Sequence, residues 1–271
     1  MVPLVTVCIL SKKRAISVEC DLGQQTFRNF EIIYADKPGI VPAMNDALTR
    51  AKGEIFVRID DDVALPPEWL EELVKPFFHP LVGGVTGPTF VPEELIKERD
   101  SLKAAYKPNL FLRWMFDWKP FAPAKIYDCG SVSYGSNFLE KMDYGWNDNI
   151  DHLEGTNWAM RTKLIRAVGG FDPAFDGVAE WYDTDVEMKI RWRGHRIVYQ
   201  NKAFLWHMVK KGNHYDERFQ GWSRMMNWLR FHRRHSRFHY KKVIWFIMMG
   251  GYFLCQQLLR SSRQLPGGKH S

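Results

Sequence analysis

Residues 4–10 (LVTVCIL) run apolar without a break and are rich in β-branched side chains, the pattern of a strand buried on both faces. Residues 31–36 (EIIYAD) form a second such run that ends in an acid, and the stretch 15–28 between them predicts a helix. Met44, Ala47, Leu48 and Ala51 then recur at i, i+3, i+4 and i+7, which predicts a helix opening at Pro42, with Gly53 as its stop. EIFVRI (54–59) is a third strand and leads straight into Asp60, Asp61 and Asp62. Pro66 and Pro67 open a helix through about Phe78, and residues 82–90 (VGGVTGPTF) read as a fourth strand. Strands alternating with helices predict an α/β chain with a mostly parallel sheet joined by right-handed crossovers.

The pattern is less regular over 91–150, where Trp114, Phe116, Trp118, Phe121, Tyr127, Tyr134 and Trp146 gather among several prolines. This stretch reads either as an excursion over the sheet or as ordinary core. After Gly155 it sharpens into a helix over 163–168, the turn Gly169-Gly170-Phe171-Asp172, a helix over about 180–193 and a strand over 196–199. A basic, aromatic helix is predicted over 216–234, followed by the apolar segment 243–259. The organisation expected is a sheet-based unit over 1–210 and a basic, apolar helical extension over 211–271.

Composition narrows the class. In 271 residues, 45% are hydrophobic and 25% charged, which excludes a disordered or collagenous chain. Cys8, Cys20, Cys129 and Cys255 lie far apart, so neither a zinc site nor a disulfide framework is expected, and a reducing, cytoplasmic setting is the default. The start lacks a basic region and a small-residue cleavage site, so no secretory leader is expected. The net charge of +7 conceals an asymmetry: from Lys189 onward 18 Lys and Arg face only Asp216 and Glu217. The acidic first two-thirds and basic last third predict that the C-terminal part meets a polyanion.

Three adjacent carboxylates at the end of a buried strand repel one another unless a cation or a set of donors holds them. In open α/β sheets ligands bind beyond the carboxyl ends of the strands, and hard oxygen ligands suit Mg²⁺ or Mn²⁺ bridging to a substrate's phosphates. The same triplet also reads as the acidic approach to a helix N-terminus at Pro66.

Its surroundings bear on that choice. MNDALTRAKGEIFVRIDDDV resembles the heart of the inverting family 2 glycosyltransferases of GT-A fold, where an Asn-containing helix and a Lys-Gly-Glu turn lead into the strand carrying a DXD motif. GTNWAMRTKLIRAVGGFDPAFDG (155–177) and EWYDTDVEMKIRWRGHRIVY (180–199) resemble two further segments of that family, in the same order. The resemblance runs from Val5 to about His207 and implies a GT-A-like, Rossmann-like mixed sheet flanked by helices. It implies that Ser11, Asp36, Asn45, Asp60 and Asp61 bind a nucleotide-sugar donor. Asp60 and Asp62 would hold Mn²⁺ or Mg²⁺ with His207 as third ligand, and Asp183 would be the general base. Gly155, Thr156, Asn157 and Trp181 would meet the acceptor, a glycan or lipid-linked glycan. Gln220-Gly-Trp-Ser-Arg224 is similar to a donor-binding Gln-x-x-Arg-Trp motif offset by one residue, which adds Arg224 to the donor set.

The chain departs from the family where Tyr182 replaces the usual Glu before Asp183 and where Arg58 interrupts an apolar strand. Arg58 is expected to face a cleft and meet a phosphate or a carboxylate. A polyprenyl-phosphate sugar synthase is the nearest alternative enzyme, and a non-catalytic membrane- or nucleic-acid-binding module the alternative of another class. Sugar nucleotidyltransferases carry a Gly-rich phosphate loop that LSKKRAISVE lacks. No nucleic-acid-binding motif accompanies the basic residues, so no nucleic-acid partner is expected. Arg230, Arg233, Arg234, Arg237, Lys241 and Lys242 precede the 17-residue run 243–259, which reads equally as a peripheral anchor on anionic lipid or as a packing helix. As an anchor it would insert Trp245, Phe246, Ile247 and Phe253 and place the protein at the inner face of the membrane.

Overall fold

Alternation along the first strand divides the interior in two: Val5, Val7 and Ile9 join one apolar cluster and Cys8 the other. The computed structural model describes residues 4–92, 101, 104–119, 121–133, 146–147, 149–208 and 221–263. In chain order it contains β1 (Val5–Leu10), α1 (Ile16–Gly23), β2 (Phe30–Ala35), α2 (Ile40–Arg50), β3 (Ile55–Asp60), β4 (Val63–Ala64) and α3 (Trp69–Val74). A 3₁₀ turn (Lys75–Phe78) leads to β5 (Val82–Thr86), β6 (Thr89–Phe90), α4 (Leu110–Met115) and β7 (Trp146–Asn147). Then follow β8 (Asn157–Arg161), α5 (Thr162–Ala167), α6 (Tyr182–Trp192), β9 (Arg196–Gln200), β10 (Leu205–His207), α7 (Gly221–His235) and α8 (Tyr240–Arg263).

The main sheet has seven strands in the order β2-β1-β3-β8-β5-β9-β7. β2, β1 and β3 are parallel, as are β5 and β9. β8 lies antiparallel between β3 and β5, so the third and fourth strands of the sequence pattern are not neighbours. The expected fourth strand is two, because at Gly87 the chain turns against residue 203: a Cβ there would meet the Ala203 carbonyl oxygen at 2.0 Å. That break lets β6 join a small second sheet, β4-β10-β6. Gly53 also serves close approach rather than helix termination, since its Cβ would lie 2.4 Å from the Thr6 amide nitrogen.

Val18, Leu22, Trp69 and Leu70 cover one face of the sheet, while Met44, Ala47, Ile165, Val186 and Ile190 cover the other. Of the described aromatics of 91–150, Tyr106, Phe116 and Tyr127 form a third, separate core with Met115 and Cys129, against which Ile244 and Trp245 of α8 pack. Tyr134 and Gln220 lie outside the described residues.

Candidate active site

Parallel pairing fixes what stands at the carboxyl edge of the sheet. Leu10 pairs with both Ala35 and Asp60, so Ser11, Asp36 and the 60–62 triplet follow the ends of three adjacent strands. The Ser11 hydroxyl donates to an Asp61 carboxylate oxygen, tying the loop after β1 to that after β3. Asp36 is exposed at the end of β2.

His207 arrives from far along the chain through the second sheet. β10 pairs antiparallel with β4, setting His207 opposite Val63, and the Met208 N–H donates to the Asp62 carbonyl at 2.8 Å. The imidazole Nε2 then lies 3.0 Å from Asp62 Oδ1 and 3.7 Å from Asp60 Oδ2. One ligand atom from each of Asp60, Asp62 and His207 falls within 4.8 Å of the others, close enough to share one ion. Two carboxylates and an imidazole are a chemically suitable donor set for a divalent first-row metal.

Beneath this cluster lies Arg58. Two residues before Asp60 on β3, it shares that residue's face of the strand, and its Nη2 donates to Asp60 Oδ1 at 2.6 Å. Burial opposes the guanidinium's charge, but the Asp60 and Asp183 carboxylates outweigh it, and the pKa is raised. The expected contact with a carboxylate is thus made, and it orients Asp60 within the cluster.

Asp183 occupies the first turn of α6, buried, with Oδ1 accepting the Thr184 N–H at 2.9 Å. Burial pushes its carboxyl above the ordinary aspartate range, against the opposing pull of Arg58 and the Thr184 N–H. The preceding turn is strained: Ala179 and Trp181 have φ of 53° and 74°, left-handed values unusual for side chains beyond glycine. Trp181 is held there by stacking on Phe231 of α7 at 4.5 Å between ring centroids. Tyr182, standing where the family usually has Glu, turns inward and packs on Phe171.

Gly155 comes close to Asp183, since a Cβ there would lie 4.0 Å from its Oδ2, and Thr156 follows in the same loop. Asn157 does not face this cleft. It is wholly buried, accepting from Trp69 Nε1 at 3.0 Å and donating to the Pro88 and Ala203 carbonyls, so it joins β8 to the second sheet instead of meeting an acceptor. Asn45 is likewise spent on the fold: its amide donates to the Phe171 carbonyl at 2.7 Å and accepts the Phe171 N–H at 3.0 Å, pinning the Gly-Gly-Phe-Asp turn to α2. Arg224 pairs with Glu180, 2.8 Å from Oε1, within the strained turn itself.

Two residues beside Asp183 went unnoticed in the sequence. His152 is buried, and its coulombic influence lowers the Asp183 pKa. Glu187, one helical turn beyond Asp183, is fully buried and accepts the Leu153 N–H at 2.9 Å. Burial, reinforced by the Asp183 charge, pushes its carboxyl well above the usual range. The signal available was Glu187 at i+4 from Asp183 on a helix face otherwise apolar.

Residues 20–169, more than half of the chain, match the family model described as glycosyl transferase family 2. The chain belongs to glycosyl transferase family 2. Among solved structures it is similar to the mannosyltransferase PcManGT from Pyrobaculum calidifontis in complex with GDP-Man and Mn²⁺, at 17% identity over 93% of this chain and 70% of that one, with a TM-score of 0.52. It is also similar to GalNAc-T7 with UDP, GalNAc and Mn²⁺, at 11% identity over 86% of this chain, with a TM-score of 0.60; it spans about half, 48%, of that chain. At these identities the likeness establishes the GT-A fold. No curated protein matches the chain.

Proposed function

We propose that this family 2 glycosyltransferase is metal-dependent and inverting, moving a sugar from a UDP-, GDP- or dTDP-linked donor to a hydroxyl of a glycan or lipid-linked glycan. The observation that carries this reading is the convergence of Asp60, Asp62 and His207 at the edge of a sheet that also presents the buried carboxylate of Asp183. Both solved relatives contain Mn²⁺ with a nucleotide or nucleotide sugar, and the mixed oxygen and nitrogen set here favours Mn²⁺ over Mg²⁺, which prefers oxygen. Bound there, the ion supplies Lewis-acid neutralisation of the departing diphosphate.

The chain's own groups provide the rest. Asp36, Ser11 and Asp61 line the edge where the nucleoside would lie, and Arg58 keeps Asp60 turned toward the cluster. Asp183 takes the proton from the attacking hydroxyl while that oxygen approaches the anomeric carbon opposite the leaving diphosphate. Gly155 leaves room beside the base for the acceptor. A phosphate acceptor would need no such base, so the buried Asp183 favours a hydroxyl over a polyprenyl phosphate. Attachment to an anionic membrane face is the localisation that fits a lipid-linked acceptor.

The test is turnover of UDP- and GDP-sugars by the full chain with Mn²⁺, after EDTA treatment, and after Mn²⁺ is restored. Activity lost to EDTA and recovered with Mn²⁺ is expected. Undiminished turnover in excess EDTA contradicts metal dependence.

A further inference from the structure

Helix α8 has two apolar sides, and only one is covered. Trp245 packs edge-on against Phe116 at 5.4 Å, Phe246 lies on Trp228 at 5.6 Å, and Phe253 sits over Gly221 and beside Arg224. Three of the four side chains expected from the sequence to enter lipid therefore pack, half-buried, against the protein. The opposite side presents Tyr240, Val243, Ile247 and Leu254, spaced i, i+3, i+7 and i+14, which places them in one stripe. Their exposures run from 48% at Val243 to 67% at Ile247, and Phe238, just before the helix, is 84% exposed. A stripe this apolar is unusual on a surface left to water.

Charge identifies what would cover it. Between residues 221 and 263 there is no Asp or Glu at all, while nine Lys and Arg are present. Several of these are spent within the fold: Lys241 is buried on Asp117 and the Trp114 carbonyl, and Arg234 pairs with Asp172 and Asp185. Arg233 and Arg237 are exposed and form no ion pair among the described residues. On the outer side of α7, Met226, Leu229, Arg230 and Arg233 line a shallow groove, with Trp222 76% exposed one turn earlier. A second copy of the chain would bring this basic face against itself. Among the described residues no helix is long and apolar enough to cross a membrane, so an apolar stripe with basic borders suits lying on a bilayer.

We propose that the outer faces of α7 and α8 dock on the surface of an anionic phospholipid bilayer, with Phe238, Val243, Ile247 and Leu254 entering the acyl boundary and Arg233 and Arg237 meeting headgroup phosphates. This deepens the localisation proposed above and depends on no catalytic step. The experiment is co-sedimentation of the full chain with phosphatidylcholine vesicles, with and without phosphatidylserine, at low and high salt. Binding to the anionic vesicles alone, weakened by salt, is expected. Replacing both Arg233→Gln and Arg237→Gln should weaken that binding roughly 30-fold, at about one headgroup contact per charge. The pair Ile247→Asp and Leu254→Asp, at positions already in water, should abolish it. Metal-dependent protection of the fold by donor should be unchanged in both variants, which separates failure here from failure of the enzymatic reading. Absence of vesicle binding by folded wild-type chain at low salt overturns the proposal. So does binding that survives both pairs of substitutions, or a dimer in light scattering that Ile247→Asp dissolves.

Discussion

A buried carboxylate is a stronger base than an exposed one, provided that the working pH empties it. For Asp183, burial raises the pKa and Arg58 limits the rise, which suits an acid that must ionise near neutrality and then take a proton. Asp183→Asn should lose roughly 10²–10⁴ in transfer rate with donor affinity nearly unchanged, as read from kcat and from donor titration. Because the ionised form is the base, wild-type activity should fall as pH drops, on a limb above the ordinary aspartate range. A mutant that retains wild-type turnover would move the base elsewhere and favour a phosphate acceptor. At this scale the positions of Asp60, Asp62 and Asp183 were legible from sequence, because motif spacing fixes which strand end or helix turn carries them, whereas Glu187 was not. The asparagines were not: a buried amide satisfies backbone as readily as ligand, and only the register of β8 shows that Asn157 faces Trp69. Arg58 stood out as an anomaly in an apolar strand, and period-two geometry supplied its partner.

Helix α6 carries Asp183, and α7 holds α6 in place. Apart from the Trp181–Phe231 stack, the junction centres on Asp185, wholly buried, 2.6 Å from Lys189 Nζ, 2.6 Å from His235 Nε2 and 3.3 Å from Arg234 Nη1. Burial works against the charge, but the His235 and Lys189 hydrogen bonds prevail and hold the carboxyl at about 2 against an ordinary value of 3.8. A depressed folded pKa stabilises above the unfolded value, and the benefit disappears as pH falls toward 2. The cluster therefore contributes about 2 kcal/mol at neutral pH. In urea denaturation Asp185→Asn should be less stable than wild type by at least that amount at pH 7, since Lys189 and Arg234 lose their counter-charge and His235 a hydrogen-bond partner, and the gap should narrow steadily below pH 4. Equal stability at pH 7 would show that α7 docks by its aromatics alone. Element existence was largely legible here, while β8 was missed as a strand: NWAMR is short, and its antiparallel place between β3 and β5 depends on contacts distant in sequence.

Across the molecule, the fold gathers residues from positions 11 to 207 at one edge of one sheet, and the second sheet exists largely to deliver the last of them. The parallel β2-β1-β3 block was foreseeable from its apolar runs and intervening helices. His207 was expected beside the acids only from the family resemblance; its route there through a second sheet was not foreseeable, because β4 and β10 have only two and three residues. The charge asymmetry was legible as arithmetic, yet the sequence alone did not separate the two sides of α8, since both are apolar: Trp245, Phe246 and Phe253 pack on the domain while Ile247 is exposed. All of the enzymatic reading converges on whether Asp60, Asp62 and His207 hold one divalent ion. The most direct measurement is Mn²⁺ titration of the full chain, followed by electron paramagnetic resonance in the presence of UDP or GDP, for wild type and for Asp62→Asn. One tight site is predicted in wild type, weakened at least about 100-fold in the variant with its thermal unfolding unchanged, because losing a direct ligand should cost at least as much as losing an outer-shell partner. Equal Mn²⁺ affinity in the two proteins would contradict the account.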